Sequence, residues 1–537
     1  MTDPDATLST DYLVIGAGSA GCVVAARLSE DGHFRVTLLE AGKRDTNPWI
    51  HVPIGYGKTI VNPDVNWRFE TEKGPEIADR PMYWARGRVL GGSSSINGLL
   101  YVRGQAADYD QWRQMGNTGW SYEDVLPYFR KAEDQENGSD TYHGSGGPLR
   151  VSNLVERNPL CEAFIASGVA AGIPRNDDFN GADQEGIGYY QLTTRNARRC
   201  SAAVAYLRPA RARPNLRVKT EAVVERILFE DKRAIGAEFR QGGRLIRIRA
   251  NREVILCAGS IKSPHLLLLS GVGPAAQLSE NGITVVHDLP GVGENLQDHY
   301  GAILTYRSKL PLTINDLMTS RWRQVKAGLQ YALMRRGPLT ISAAQAGAFV
   351  RSSPHVDAPD IQFLFQTFSH DEYDAGLHSF SGFANVVCPV RPESRGRLSL
   401  RSSDPNAAPL MQPNYLSAQA DRTLLVEALK IARKVAEQPQ IAAHIVEEYG
   451  PSKRATSDAE LLDYARRTGL SIAHQVGTCK MGTDPMAVVD PTLRVRGMEG
   501  LRVVDASVMP TLISGNTNAP TIMIGEKGAD MIKEDAA

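Results

Sequence analysis

The stretch YLVIGAGSAGCVVAARLSEDGHFRVTLLEAG, residues 12–42, decides the fold. An apolar run, YLVI, breaks at the turn GAGSAG, passes into CVVAARLSE and resumes as VTLLEAG. Strand, turn, helix and strand within about 30 residues make a βαβ unit. Gly16 permits the tight turn, Gly18 lets backbone approach a pyrophosphate, and Gly21 brings the helix against the strand. Ser19 and Ala20 open the helix, whose N-terminal amides and dipole face phosphate. Glu40 ends the second strand 24 residues beyond Gly16. That is close to the ~20 expected of the carboxylate that holds the adenosine ribose hydroxyls, and an acid there argues against a 2′-phosphate. A plain glycine turn with a surface Glu is the bland alternative, against which strand, helix and acid stand in register.

Outward from this unit, REVILCAG (252–259) and LRVVDAS (501–507) look like further strands of the same buried sheet. The intervening material differs. FRQGGRLIRIRA (239–250) alternates as a hairpin would, and IQFLFQTF (361–368) and GRLSLRSS (396–403) alternate apolar with polar, which predicts a meander or antiparallel sheet. On the strand at 361–368, Ile361, Phe363 and Phe365 share one face, read as core. ADRTLLVEALKIARKVAEQ (420–438) has helical spacing and stops before Pro439.

Bulk composition excludes several classes of function. With 537 residues the chain exceeds what one core usually organises, and 60 basic against 60 acidic side chains advertise neither nucleic acid nor anionic lipid. No apolar run reaches the ~18 residues of a membrane span, and the acidic start is unlike a basic signal peptide. A cytoplasmic location is expected, with peripheral attachment to the inner membrane left open. Six scattered cysteines form neither a CxxC nor a Cys/His ligand spacing, so no metal site is expected and the thiols are read as reduced and mostly buried.

NAD and FAD share the glycine fingerprint. FAD is favoured because the chain holds one such fingerprint, at its N-terminus, and a second Gly/Ser cluster, WARGRVLGGSSSING (84–98). There Gly91, Gly92 and the serines let backbone run against a cofactor, a flexible loop being the alternative. Taking hydride from an alcohol without a metal needs a base for the hydroxyl proton, usually histidine. His474, in IAHQVGTCKMG, stands beside a turn of small residues, although eleven histidines compete and local chemistry alone favours a core or surface histidine over a base. In LRVVDASVMPTLISGNTNAPTIMIGEKGADMI, Asp505 could accept from ribityl hydroxyls and Asn518 donate to a substrate oxygen; Asn516 and Asn518 also suit helix capping.

GAGSAG with Glu40, RGRVLGGSSSINGLLYVRG (86–104), GSIKSPHLLLLSGVGP (259–274), GVGENLQDH (291–299), HQVGTCKMG (474–482) and DASVMPTLISGNTNAPTIMIGEK (505–527) together resemble the glucose-methanol-choline (GMC) oxidoreductases. They do so in family order and over nearly the whole chain. DFNGADQEGIGYYQLTTRNARRCSAAVAYLRPA (178–210) and SRGRLSLRSSDP (394–405) narrow the likeness to the bacterial subgroup of choline, aliphatic-alcohol, polyethylene-glycol and sorbose dehydrogenases.

The resemblance implies an α/β protein in which a Rossmann-type FAD-binding domain (1–155, 220–310 and 470–537) is interleaved with an α+β substrate domain (156–219 and 311–469) holding an antiparallel sheet. It implies His474 as base with Asn518, 44 residues later, as partner, Asn97 and the 91–97 loop against the flavin ring, and Val223 at the adenine. The implied reaction oxidises a neutral primary alcohol to an aldehyde with hydride passing to flavin N5 and electrons to a quinone or similar acceptor. An oxygen-using alcohol oxidase, a lyase and a light-driven decarboxylase are the alternatives within the family. Two positions depart from relatives. Ile96 stands where some attach FAD through histidine, so noncovalent FAD is expected. Gln345 stands where many have Glu, which argues against a cationic substrate such as choline unless the position is merely a structural hydrogen-bonding site.

Overall fold

A computed structural model of the protein describes residues 8–371 and 376–536. Its first sheet is built on the opening βαβ unit. Strand Leu8–Ile15 lies between Val36–Leu39 and Arg244–Leu256, parallel to both, and Leu501–Val503 joins the far side of Arg244–Leu256, again parallel. These strands are apolar and buried on both faces, as a parallel sheet demands: Leu13, Val14, Val254, Ile255 and Val503 have essentially no exposure. Arg244–Leu256 is long enough to serve two partners. Its second half sits in the parallel sheet, while its first half pairs antiparallel with Arg233–Gln241, which continues to Val223–Glu230. The hairpin read at 239–250 is therefore an outgrowth of the nucleotide sheet.

The second sheet is antiparallel, in the order Ile445–Tyr449, Tyr300–Ser308, Gly382–Pro389, Ile361–Gln366, Ala346–Val350, Gly186–Tyr189. One face carries Phe363 and Phe365 toward the helices, with Phe365 stacked on Phe164 of helix Pro159–Ala170 at 4.3 Å between ring centres. Helix Gln419–Ala436 covers strand Gly382–Pro389. The fold is thus a Rossmann-type α/β domain interleaved with an antiparallel-sheet domain, the arrangement that the sequence resemblance implies.

Two domain boundaries move. Strand Leu216–Lys219 pairs in parallel with Val36–Leu39 at the edge of the first sheet, so it does not belong with segment 156–219. Strand Tyr300–Ser308 sits inside the second sheet, so segment 220–310 ends before it. Both lie at crossings between domains, where β-patterning carries no mark of which sheet a strand enters.

Helix Ser19–Leu28 and the final helix, Asn518–Ala536, pack side by side. A Cβ on Gly525 would lie 3.0 Å from Val23 Cβ, so the glycine sets how closely the helices approach. The buried Glu526 receives Arg27 through two hydrogen bonds of 2.8 and 2.9 Å and the Tyr206 hydroxyl at 2.8 Å. Paired and fully bonded, that carboxylate avoids the cost of an isolated buried charge. The packing brings both helix N-termini to one place.

Candidate active site

That place is one end of a cavity of about 1050 Å³, at the upper limit of ordinary small-molecule pockets and lined by both sheets. At the nucleotide end, Gly16 (φ +99°) turns the chain where a side chain would be strained and would strike Cys257 O at 2.6 Å. A Cβ on Gly21 would fall 1.8 Å from Gly16 O, which is why the helix can start directly off the strand. A Cβ on Gly18, by contrast, would meet only Cys257 O at 3.8 Å. No side chain caps helix Ser19–Leu28, so its first-turn amides are left to the cavity. Ser19 Oγ donates to Asn518 Oδ1 at 2.8 Å, tying the two helix N-termini together. Glu40 accepts the Ala17 and Gly42 amides, both at 2.8 Å, and burial pushes its pKa up to about 7. It keeps further acceptor capacity toward the cavity, beside Val223. This donor and acceptor set fits the adenosine and pyrophosphate of a dinucleotide.

The 91–97 loop crosses the glycine turn. Gly91 N donates to Ala17 O at 2.8 Å, bracing the loop from behind, while Gly92, Ile96 and Asn97 line the cavity. A Cβ on Gly92 would sit 2.7 Å from Gly18 Cα. Arg199, buried with no carboxylate partner, donates to Ile50 O, Ser94 O, Asn97 O and Asn97 Oδ1. Desolvation lowers its pKa to about 9. The loop's shape thus depends on a residue 100 positions away that sequence reasoning did not single out, although it lies in the quoted RNARRC run.

The far end of the cavity holds His474, buried, on the loop after Leu470–Ser471. Asp298 Oδ1 accepts its backbone N–H at 2.7 Å. Its tautomer follows from the partners. Val390 O can only accept, so His299 Nε2, 2.9 Å away, carries the proton. His299 is held neutral, its pKa lowered to about 4 by desolvation, which leaves its Nδ1 an acceptor. His474 Nδ1, 2.9 Å from that atom, must therefore be the donor, and His474 Nε2 is left unprotonated as the acceptor. From the other side, Tyr190 OH donates to Phe363 O at 2.7 Å and so accepts from Gln362 Nε2 at 3.1 Å. Gln362 Nε2 also donates to Asn516 Oδ1 at 3.1 Å, which turns Asn516 Nδ2 toward His474 Nε2, again 3.1 Å away. Two backbone carbonyls, Val390 O and Phe363 O, thus fix a neutral imidazole with an amide N–H beside its basic nitrogen. Desolvation, then the neighbouring His299 and Arg86, hold the His474 pKa well below the ordinary histidine value.

The structure adds to one reading, corrects a second and decides a third. Asn518 lines the cavity, opens the last helix and accepts from Ser19 through Oδ1, while the hydrogen bond to His474 Nε2 comes from Asn516, which was read only as a possible helix cap. The helix begins at Asn518, so its side chain follows the helix start, whereas Asn516 lies in the preceding turn and projects toward the imidazole. Asp505 lines the cavity, but Gly259 N, Ser263 Oγ, Ser507 N and Ser507 Oγ, at 2.6–2.8 Å, saturate its oxygens. It clamps the end of strand Leu501–Val503 to helix Gly259–Leu269 rather than offering itself to a ribityl chain. Gln345 is buried outside the cavity lining and donates to Glu156 O at 2.9 Å, so it is a structural hydrogen-bonding site and says nothing of substrate charge.

His299 and Gln362 were missed as site residues. His299 was visible inside GVGENLQDH, and Gln362 sits on the polar face of the very strand whose apolar face was read as core. The same cavity face carries Leu364 and Gln366, whose amide oxygen is buried without a partner. All six cysteines are buried free thiols. Among the described residues no helix is long and apolar enough to cross a membrane.

Comparison with known proteins agrees with this geometry. The N-terminal GMC oxidoreductase family model matches residues 10–301 and the C-terminal one residues 392–525. The protein therefore belongs to the GMC oxidoreductases, and is an FAD-dependent oxidoreductase. It is 44% identical over 525 residues to an alcohol dehydrogenase (acceptor) of Pseudomonas putida, covering 97% of this chain and 95% of that one. It is also 44% identical over 538 residues to the mitochondrial choline dehydrogenase of Homo sapiens, covering 98% and 90%. Among solved structures, pyridoxine 4-oxidase from Mesorbium loti superposes with a TM-score of 0.88 at 31% identity, covering 98% and 99%.

Proposed function

We propose that the protein oxidises a neutral primary alcohol to the aldehyde and hands the electrons to a quinone or similar acceptor, with FAD held noncovalently. The observation that carries this reading is the unprotonated His474 Nε2 at the cavity, accepting from Asn516 Nδ2 at 3.1 Å, with the tautomer set from both sides, so that a bound hydroxyl takes the place of the amide on Nε2. When bound, FAD supplies the acceptor for the hydride that leaves the alcohol carbon. His474 Nε2 takes the hydroxyl proton, and the imidazolium keeps its Nδ1–H on His299. Asn516 Nδ2 donates to the oxygen as negative charge develops there, so the amide stabilises the alkoxide more than the alcohol.

The glycine turn, Glu40 and the start of helix Ser19–Leu28 hold the adenosine and pyrophosphate, and the 92–97 loop with the start of helix Asn518–Ala536 receives the ring system. Ile96, packed with Ile50, Val65 and Val89, offers no nucleophile to it. Acid precipitation is expected to leave the flavin in the supernatant, and flavin in the protein pellet would contradict noncovalent binding. The described lining includes Leu100, Leu339, Leu364, Phe368, Val386 and Ile472 beside the polar Gln366, and its carboxylates, Glu40 and Asp505, are both engaged by hydrogen bonds from the protein. That supports a neutral aliphatic or aromatic alcohol over choline. Anaerobic mixing with a panel of alcohols that includes choline tests the assignment: neutral primary alcohols should bleach the flavin faster than choline. Bleaching by choline alone would overturn the substrate class, and no bleaching by any alcohol would overturn the oxidation. The relative from Pseudomonas putida is named an alcohol dehydrogenase (acceptor), which favours the dehydrogenase over an oxidase. Fast peroxide formation without an added acceptor would reverse that choice.

A further inference from the structure

Helix Arg321–Met334 is amphipathic the wrong way round for a core helix. Ala327 and Tyr331 face inward, with the Tyr331 hydroxyl donating to Ala197 O at 3.0 Å. Trp322, Val325, Leu329 and Leu333, spaced three and four residues apart, form one outward stripe. Trp322 is 74% exposed and Leu333 81%. A single exposed leucine needs no account, but a contiguous stripe along a whole helix does. The stripe is flanked by Arg321, Arg323, Lys326, Arg335 and Arg336. No Asp or Glu occurs between Asp316 and Asp357, and none of the five cations forms an ion pair among the described residues. In a chain of formal net charge zero this is a local cationic, apolar patch.

We propose that this helix docks the protein on an anionic lipid bilayer, lying in the interfacial plane. Its composition suits that surface: an apolar stripe with a tryptophan to enter the acyl boundary, and basic side chains on either flank to meet lipid phosphates. Fourteen residues give a rod of about 21 Å, too short to span a bilayer and long enough to lie on one. A second copy of the chain is a poor occupant, because a symmetric pairing would set the cations of one helix against those of the other. The placement also has a consequence for access. Gln324 and Gly328 of this helix, with Leu317 and Met318 just before it, line the cavity. One layer of helix therefore separates the cavity from the docked lipid, where apolar alcohols and lipid-soluble acceptors concentrate.

The test is flotation of the FAD-loaded protein with vesicles of phosphatidylcholine alone or with added phosphatidylglycerol, at low and high salt. Wild type should float with the anionic vesicles and lose binding at high salt. The double variant Leu329→Glu, Leu333→Glu should bind at least tenfold more weakly, with flavin content and turnover with a soluble dye acceptor unchanged. Lys326→Glu with Arg336→Glu should weaken the anionic-vesicle binding while leaving the apolar stripe intact. Failure of wild type to float would overturn the proposal, as would equal flotation of the leucine variant. So would a dimer or a complex with an acidic protein that the leucine variant dissolves.

Discussion

The two ends of the cavity are built by different logic. The nucleotide end is local: Gly16, Gly18, Ser19, Gly21 and Glu40 come from one βαβ unit, with Gly16 and Gly21 dictated by backbone sterics and Glu40 by backbone hydrogen bonds. The reaction end is assembled from afar: His474, His299, Asn516, Gln362 and Tyr190 come from five separate segments joined by side-chain bonds of 2.9–3.1 Å. A site of the first kind fails all at once when one atom is added. One of the second kind should fail by degrees, according to how directly each residue touches the reacting atoms.

Gly21→Val should have the largest effect, because its Cβ would lie 1.8 Å from a backbone oxygen that cannot move without unmaking the turn. The flavin-to-protein ratio of whatever purifies should be near zero; normal flavin content would break the claim that this end is sterically fixed. His474→Ala should come next, lowering kcat/KM for the alcohol by about 100-fold or more with flavin still bound. His299→Phe should cost about tenfold, since it removes only the acceptor for His474 Nδ1–H. A merely structural His299 would change stability and leave kcat/KM in place. In wild type the base is active when deprotonated and its pKa lies below the ordinary 6.5. The profile should therefore stay level through neutrality and fall only as pH drops below that value.

The same contrast explains what could be read from the letters. GAGSAG with Glu40 announced its fold because the constraint sits in consecutive residues. His474 was found through its motif, yet the asparagine that hydrogen-bonds it, Asn516, was read only as a helix cap. Spacing in sequence does not record where helix Asn518–Ala536 starts, and that start decides which asparagine turns toward the imidazole. Gln362 was hidden because alternation shows that a strand has two faces without showing that the polar one meets a cavity. Strand Leu216–Lys219 was assigned to the wrong domain because a short β run names no neighbour. Arg199 was hidden because its bonds to carbonyls of the 91–97 loop span a hundred residues.

The pairing of His474 with Asn516 rather than Asn518 is tested most directly by anaerobic rapid mixing of flavin-loaded variants with a primary alcohol. Asn516→Ala should slow flavin bleaching by about tenfold, the loss of one hydrogen bond to developing charge. Asn518→Ala should leave the bleaching rate near wild type and loosen flavin retention instead. Slowed bleaching in Asn518→Ala with a wild-type rate in Asn516→Ala would contradict the account.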